Sequence, residues 1–191
     1  LSGATQLRFT PDASTVTKLY AQYDRTDFAT YEGDDRRLFG LGEDNVYLNA
    51  TLRRVSGAGW EWFAGAAWSY NRQMVDNAAA EGDAWLQRQQ ELHLKAKLGR
   101  RLSPLFRLDG GVEAFVRSYA MSYRFPASVG EAEGHVSPSL GAVFLSAACF
   151  PLERLKVEGS VRAEYHGLSG ATEVSPRLAL NWFQGDVVLT A

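Results

Sequence analysis

The side chains that could support catalysis or metal binding are few and widely spaced in this chain. His93, His135 and His166 stand far apart, and no combination of Cys, His and carboxylates has the spacing of a zinc site. The serines lack the strand–turn–helix context of a nucleophile elbow, and Gly40-Leu41-Gly42 lacks the setting of a phosphate cradle. We therefore predict no catalytic residue, no metal site and no cofactor, and we do not expect an enzyme.

One acidic cluster has the chemistry of a calcium site, because hard cations take several carboxylate oxygens. Its members are Asp24, Asp27, Glu32, Asp34 and Asp35. A solvated connection between strands accounts for the same residues, and we favour that interpretation. His93 alternates with lysines, so we interpret it as a side chain that faces a polar interior. Cys149, the one cysteine, is interpreted as a small structural apolar residue.

Composition excludes some classes of protein. The 191 residues include 22 acidic and 20 basic side chains, so the basic excess typical of nucleic-acid-binding proteins is absent and no nucleic-acid partner is expected. No stretch approaches the roughly 18 to 20 consecutive apolar residues of a membrane helix. The chain starts at Leu1 without the features of a signal peptide and stops at Ala191 in an apolar run, so we expect 1–191 to be an internal piece of a larger protein.

The elements that must position these side chains are β-strands, because apolar residues recur with a period of two. The alternation is clear over 46–53 and, after a glycine-containing turn at 56–59, over 60–71. Further turns fall near 11–14, 101–104, 151–154 and 184–186. We predict an all-β protein of about ten antiparallel strands joined as successive hairpins. The arm 136–150 is apolar on both faces, so its orientation stays open.

The connections indicate a transmembrane β-barrel. Short turns alternate with long polar connections near 25–44, 71–88, 118–135 and 166–173, as periplasmic turns alternate with extracellular loops in such barrels. The arms have about ten or more residues, the length of a tilted membrane strand. Their second face is densely charged, which fits a wet or plugged lumen.

Aromatic residues complete this prediction. One group lies near strand ends, where membrane-interface girdles occur: Trp60, Trp62, Trp68, Tyr70 and Trp182. A second group lies in the expected extracellular loops and is our candidate for substrate contact: Tyr31, Phe39, Trp85, Tyr123 and Phe125. The chain is thus expected in the outer membrane of a Gram-negative bacterium, in contact with its lipid.

One hairpin resembles a known family. Val174-Ser175-Pro176-Arg177-Leu178-Ala179-Leu180-Asn181-Trp182, with Gln184-Gly185-Asp186 and the strand after it, is similar to a mid-barrel hairpin of TonB-dependent receptors, particularly the Bacteroidetes nutrient receptors. The resemblance implies a barrel of about 22 strands. It also implies a separate N-terminal plug domain, remaining barrel strands in the same parent protein, TonB contact through that plug and, in some members, a surface lipoprotein partner.

Several functions stay open at this level. The resemblance implies uptake of a scarce nutrient, which could be an iron chelate, a cobalamin or a glycan. A small self-contained barrel that serves as a structural anchor or adhesin, and a passive porin-like channel, are alternatives with the same strand pattern. A soluble β-domain packed on a second sheet also predicts the alternation.

Overall fold

A computed structural model describes residues 1–33, 36–57, 59–77, 83–124, 130–184 and 187–190. Within these ranges the chain forms a single antiparallel sheet, and its strands follow one another in chain order. No helix in the described ranges is long and apolar enough to cross a membrane. The all-β prediction is therefore confirmed, and the architecture is a row of hairpins.

Eleven strands occur among the described residues. In chain order they are β1 (Ser2–Asp12), β2 (Thr15–Glu32), β3 (Arg36–Val55), β4 (Trp60–Asn77), β5 (Asp83–Ser103), β6 (Phe106–Arg124), β7 (Glu131–Val136), β8 (Ser139–Leu152), β9 (Leu155–His166), β10 (Ala171–Gln184) and β11 (Val187–Thr190). Strand β7 is a short addition to the ten that the sequence predicts. It pairs with the outer part of β6, while β8 pairs with the rest of that strand.

The short turns form where polar side chains and glycine permit them. At the β1–β2 turn, a carboxylate oxygen of Asp12 accepts hydrogen bonds from the backbone N–H (2.8 Å) and the hydroxyl (2.6 Å) of Ser14. These bonds hold the pKa of Asp12 below its usual value. At the β3–β4 turn, Gly59 has a φ of 76°, which an L side chain rarely adopts.

Register gives the sheet one apolar and one polar face. A typical hydrogen-bonded row joins Leu52, Ala64, Ala96, Val112 and Val143, from β3 across to β8. Because side chains alternate along each strand, the residues between these rows point to the other side of the sheet. We call the side of Val112 and Val143 the apolar face, and the opposite side the polar face.

The register also settles the orientation of β8, which the sequence leaves open. Phe144 pairs with Gly111, and Leu140 pairs with Phe115. These residues therefore lie on the polar face, and Val143 and Leu145 lie on the apolar face. Gly111 makes room for the ring of Phe144, since a Cβ at position 111 would stand 2.5 Å from that ring. Apolar side chains on the polar face, Leu140 and Phe144 among them, obscure the alternation of this arm.

The long polar connections were predicted to be loops, and this prediction is wrong. Most of 25–44 and 71–88 belongs to β2, β3, β4 and β5, which continue as paired strands beyond the alternating segments. The connection near 118–135 contains the end of β6 and most of β7, and the one near 166–173 narrows to a turn at 167–170. Polar residues occur on both faces of these extensions, so the alternation that identifies a strand in the sequence is lost there. Asp34, Asp35 and the turn at 185–186 lie outside the described residues.

Candidate functional site

In a soluble sheet the apolar face is buried and the polar face is exposed to water. In this sheet the apolar face is exposed and the polar face is shielded. On the apolar face, Val112 is 53% and Val143 57% exposed. On the polar face, the side chain of Glu113 is 13% exposed, and Asp109 is buried at 7%. Such burial is expected when a sheet curls around its polar side. An outward apolar surface of this extent requires an apolar environment.

Four of the predicted interface aromatics lie on β4 as two pairs on the apolar face. The rings of Trp60 and Trp62 are 6.4 Å apart at the strand's short-turn end, and those of Trp68 and Tyr70 stack at 6.3 Å further along. Arg100 covers Trp60, with its guanidinium carbon 4.8 Å from the ring centroid. On this face Ala64 and Ala66 separate the two pairs, so the apolar stretch of β4 has aromatic ends and a slim middle.

Trp182 lies five strand-to-strand steps from β4 but follows the same pattern. The row that starts at Trp60 reaches Leu178 on β10, and Trp182 lies four residues beyond it, towards the end of that strand. A progressive offset of this kind between neighbouring strands is required when strands tilt in a barrel wall. Trp182 is 39% exposed. Trp182 therefore lies towards the same edge of the sheet as Trp60.

Near the short turns, the polar face carries a bidentate ion pair. Arg107 donates two hydrogen bonds of 2.8 Å to the two carboxylate oxygens of Asp109, and Lys97 lies 3.2 Å from the same carboxylate. Arg107 also reaches Glu61 on β4, at 2.9 Å. Gly99 leaves space for this pair, because a Cβ there would stand 2.3 Å from the Asp109 carboxylate.

In the middle of the sheet, three basic side chains surround Glu113. Arg162 Nη1 and His93 Nε2 each lie 2.7 Å from a different oxygen of that carboxylate, and Lys95 Nζ lies 3.6 Å away. These contacts join β5, β6 and β9 across the face. His93 is thus on the polar side, as expected from its alternation with lysines.

Further along the strands, from the level of Ser69 outwards, the polar face changes from ion pairs mainly to neutral amides. We call this group the amide belt, and its members lie in consecutive rows of β2 to β5: Gln22, Asn45, Asn71, Gln73, Gln87 and Gln89. Two of them, Asn45 and Asn71, donate hydrogen bonds of 3.0 Å to Glu43. The bond from Asn45 is the main reason why the pKa of Glu43 lies below its usual value.

Phenol groups extend this belt. Tyr20 donates a hydrogen bond of 2.7 Å to Gln22, and Asn49 donates one of 2.9 Å to the hydroxyl of Tyr47. The rings of Tyr20 and Tyr47 are 5.9 Å apart. On the same face, Arg117 pairs with Glu91 at 2.7 Å. The belt therefore presents amides and phenols. The charged side chains among them, Glu43, Glu91 and Arg117, already have partners.

The structure corrects the location of the predicted substrate-contacting aromatics. Tyr31, Phe39, Trp85 and Tyr123 lie on β2, β3, β5 and β6 rather than in loops. Two of them come together, because Trp85 and Tyr123 are register partners whose rings stack at 6.3 Å. They lie on the polar side, past the amide belt. Phe125 lies outside the described residues.

One group of metal-ligating side chains was missed by sequence analysis. Glu164 and His166 are two residues apart on β9 and therefore share a face, and Glu173 on β10 is the register partner of Glu164. One ligand atom from each lies within 4.8 Å of the others. The signal in the sequence is a Glu-x-His on one arm and a Glu on the next. It gains meaning only once the turn between the arms, and hence the register, is known.

Comparison with known proteins identifies the fold. No protein-family model matches the chain, and no curated protein matches it by sequence. The outer membrane transporter YddB from Escherichia coli superposes with a TM-score of 0.75 and 9% identity, over 95% of this chain and 29% of YddB. The copper transporter OprC matches with a TM-score of 0.69 and 13% identity, over 97% of this chain and 34% of OprC.

A third solved structure agrees with these two. The ferric yersiniabactin uptake receptor FyuA from Yersinia pestis matches with a TM-score of 0.69 and 11% identity, over 97% of this chain and 35% of the receptor. This chain therefore spans about a third of the length of the transporters that it matches. At these identities the likeness is one of fold. The chain has the fold of a transmembrane β-barrel wall, of the kind that outer-membrane transporters possess.

Proposed function

We propose that this chain is part of the barrel wall of a TonB-dependent transporter in the outer membrane of a Gram-negative bacterium. The observation that carries the proposal is the inverted distribution of faces: exposed valine and leucine on one side, and shielded ion pairs on the other. The apolar face contacts lipid, and the polar face lines the lumen. The similarity to three outer-membrane transporters supports transport over an anchoring role.

In this proposal, residues 1–191 are a segment of a larger barrel. Strands β1 and β11 have no register with one another in the part of the chain that the structure describes. A sheet in lipid must close, because unpaired backbone groups are costly there. Further strands of the same parent protein would pair with these edges. A plug domain of that protein would fill the lumen, and TonB would act through the plug.

The lumenal ion pairs have a structural role in this scheme. The carboxylates of Glu61 and Asp109 are already engaged by basic side chains: Asp109 by Arg107 on its own strand and by Lys97 on β5, and Glu61 on β4 by Arg107 on β6. Charges satisfied within the wall do not need a substrate. They hold neighbouring strands in register and present a polar surface to a plug.

Substrate contact belongs further out, at the amide belt. Its planar amides offer neutral donors and acceptors, which match the hydroxyl groups of a glycan. Trp85 and Tyr123 offer apolar ring faces just beyond it. Because the carboxylate of Glu43 lies among these amides and is held by Asn45 and Asn71 rather than by a base, the belt is less suited to an anionic iron chelate. Of the three nutrient classes, we propose a neutral glycan.

The first test of the transport proposal is the size of the parent polypeptide, measured in outer-membrane fractions with an antibody against residues 60–120. We expect a band several times larger than this chain, with a plug sequence ahead of the barrel. A membrane band no larger than 191 residues would instead support a small self-contained barrel. A large barrel without a plug would support a passive channel, and signal in the soluble fraction alone would contradict all of these.

The substrate assignment has a separate test. Calorimetric titration of the purified parent protein with neutral oligosaccharides should show binding that Asn71→Leu weakens about tenfold or more, because unpaired buried polar groups reject a ligand strongly. The matched control is Ala66→Leu, on the lipid face of the same strand, which should leave binding unchanged. Binding of ferric chelates alone would overturn the glycan assignment and leave the transport proposal standing.

A further inference from the structure

We infer that Glu164, His166 and Glu173 form a binding site for a divalent first-row transition-metal ion at the outer end of the β9–β10 hairpin. The three side chains share the polar face, because Glu164 and His166 are two residues apart on β9, and Glu173 stands opposite Glu164 on β10. One ligand atom from each lies within 4.8 Å of the other two. Two carboxylates and an imidazole are ligands that zinc and its neighbours accept.

The pairing of the two glutamates also favours a cation between them. Like charges directly opposite on neighbouring strands destabilise a sheet. Among the register pairs of the described residues, Glu164 with Glu173 is the one in which two acidic side chains face each other. Elsewhere on this face, an acid stands opposite a base, as Glu113 does opposite Lys95, or opposite an uncharged residue, as Asp109 does opposite Ser146. A bound cation would turn the repulsion between the glutamates into a bridge.

The neighbouring side chains leave the ligand atoms available. Arg162 Nε contacts Oε1 of Glu164, while the other oxygen of that carboxylate lies 4.0 Å from His166 Nε2. The hydroxyl of Ser175 donates to Oε1 of Glu173, at 3.3 Å. Each carboxylate thus has one oxygen oriented by a neighbouring side chain. Such supporting contacts are usual around metal ligands.

The hairpin turn fixes this geometry. Gly170 has a φ of 68°, and its N–H donates a hydrogen bond of 2.8 Å to the carbonyl oxygen of His166. The turn therefore holds β9 and β10 in register within a few residues of all three ligands. Three protein ligands leave further coordination positions, so the ion can hold water or a donor atom of a passing ligand. The inference concerns this hairpin alone and does not depend on the transported substrate.

The test is titration of the parent outer-membrane protein, purified in detergent, with Co²⁺ followed by visible absorption and then by Zn²⁺ competition. We expect one ion per chain, and we expect His166→Gln and Glu173→Gln each to weaken binding about tenfold or more. His135→Gln is the matched control, because His135 lies on β7 and contacts Ser118 instead. It should leave binding unchanged.

Folding of each variant is checked by the heat-dependent mobility of its band on gels. Glu173→Asp retains the charge and provides a further variant with intermediate affinity expected. The site would be overturned if the protein bound no Co²⁺ at millimolar concentration, or if His166→Gln, Glu173→Gln and Glu173→Asp all retained the original affinity.

Discussion

Val143 and Ser146 lie three residues apart on β8, and they face opposite environments. Val143 is 57% exposed on the apolar face, whereas Ser146 pairs with Asp109 on the polar face. We expect Val143→Arg to lower the free energy of unfolding by about 2–4 kcal/mol, the cost of a charge near the membrane midplane. Urea unfolding of the parent protein in lipid vesicles measures this change.

Ser146→Arg is the control for that substitution. It places the same guanidinium on the lumenal side, near the carboxylate of Asp109, and we expect a much smaller effect. Equal losses for both variants would contradict the assignment of the two faces.

Residue types alone predicted the faces of β4, β5, β6 and β9, but not the contacts made on them. Glu113 and Arg162 are 49 positions apart and meet only because β8 places β9 two strands from β6. The same holds for Glu164 and Glu173, whose proximity depends on a turn of four residues, 167–170. Alternation reports the side to which a residue points. The identity of its neighbour requires the register.

At the scale of elements, the β3–β4 turn gives a direct test of backbone geometry. Gly59 has a positive φ, and its carbonyl oxygen accepts a hydrogen bond of 3.2 Å from the N–H of Arg101 on the adjacent hairpin. We expect Gly59→Ala to lower the free energy of unfolding by about 1–2 kcal/mol, because a left-handed conformation is costly for an L residue.

Gly57→Ala, in the same turn, is the matched comparison. A Cβ at position 57 would meet nothing within 4 Å, so we expect little change in the urea midpoint. Similar losses at both positions would show that the turn tolerates neither side chain and that backbone conformation is not the cause.

The ends of the strands were the part of the fold that could be predicted least well from the sequence. Residues 71–77 continue β4, yet they read as a connection because Asn71, Arg72 and Gln73 place polar groups on both faces. Inside the membrane one face must be apolar, and this requirement creates the period of two. Outside it, the requirement disappears while the pairing continues. The sequence therefore shows where the apolar belt ends more reliably than where the strands end.

At the scale of the whole molecule, the tryptophans report the position of the bilayer. Trp62 and Trp68 lie on the apolar face towards opposite ends of the span, while Trp85 lies on the polar side past the amide belt. In variants of the parent protein that retain one tryptophan each, brominated lipids should quench Trp62 and Trp68 most strongly when the bromines lie near the headgroups. Trp85 should be quenched little.

Two results would contradict this arrangement. Strong quenching of Trp85 would place the polar side in lipid, and quenching of Trp68 by mid-chain bromines alone would place the aromatic pairs at the wrong depth. The same experiment measures the proposed interface role of Trp182.

The order of the strands also constrains how such a wall is built. Each strand pairs with the one before it, apart from the branch at which β7 and β8 share β6. Every pairing step therefore closes only a short stretch of chain, and the entropy lost in each closure is small. A wall of this kind can lengthen hairpin by hairpin from a single growing edge, and the long-range step is deferred to the final seam between its first and last strands.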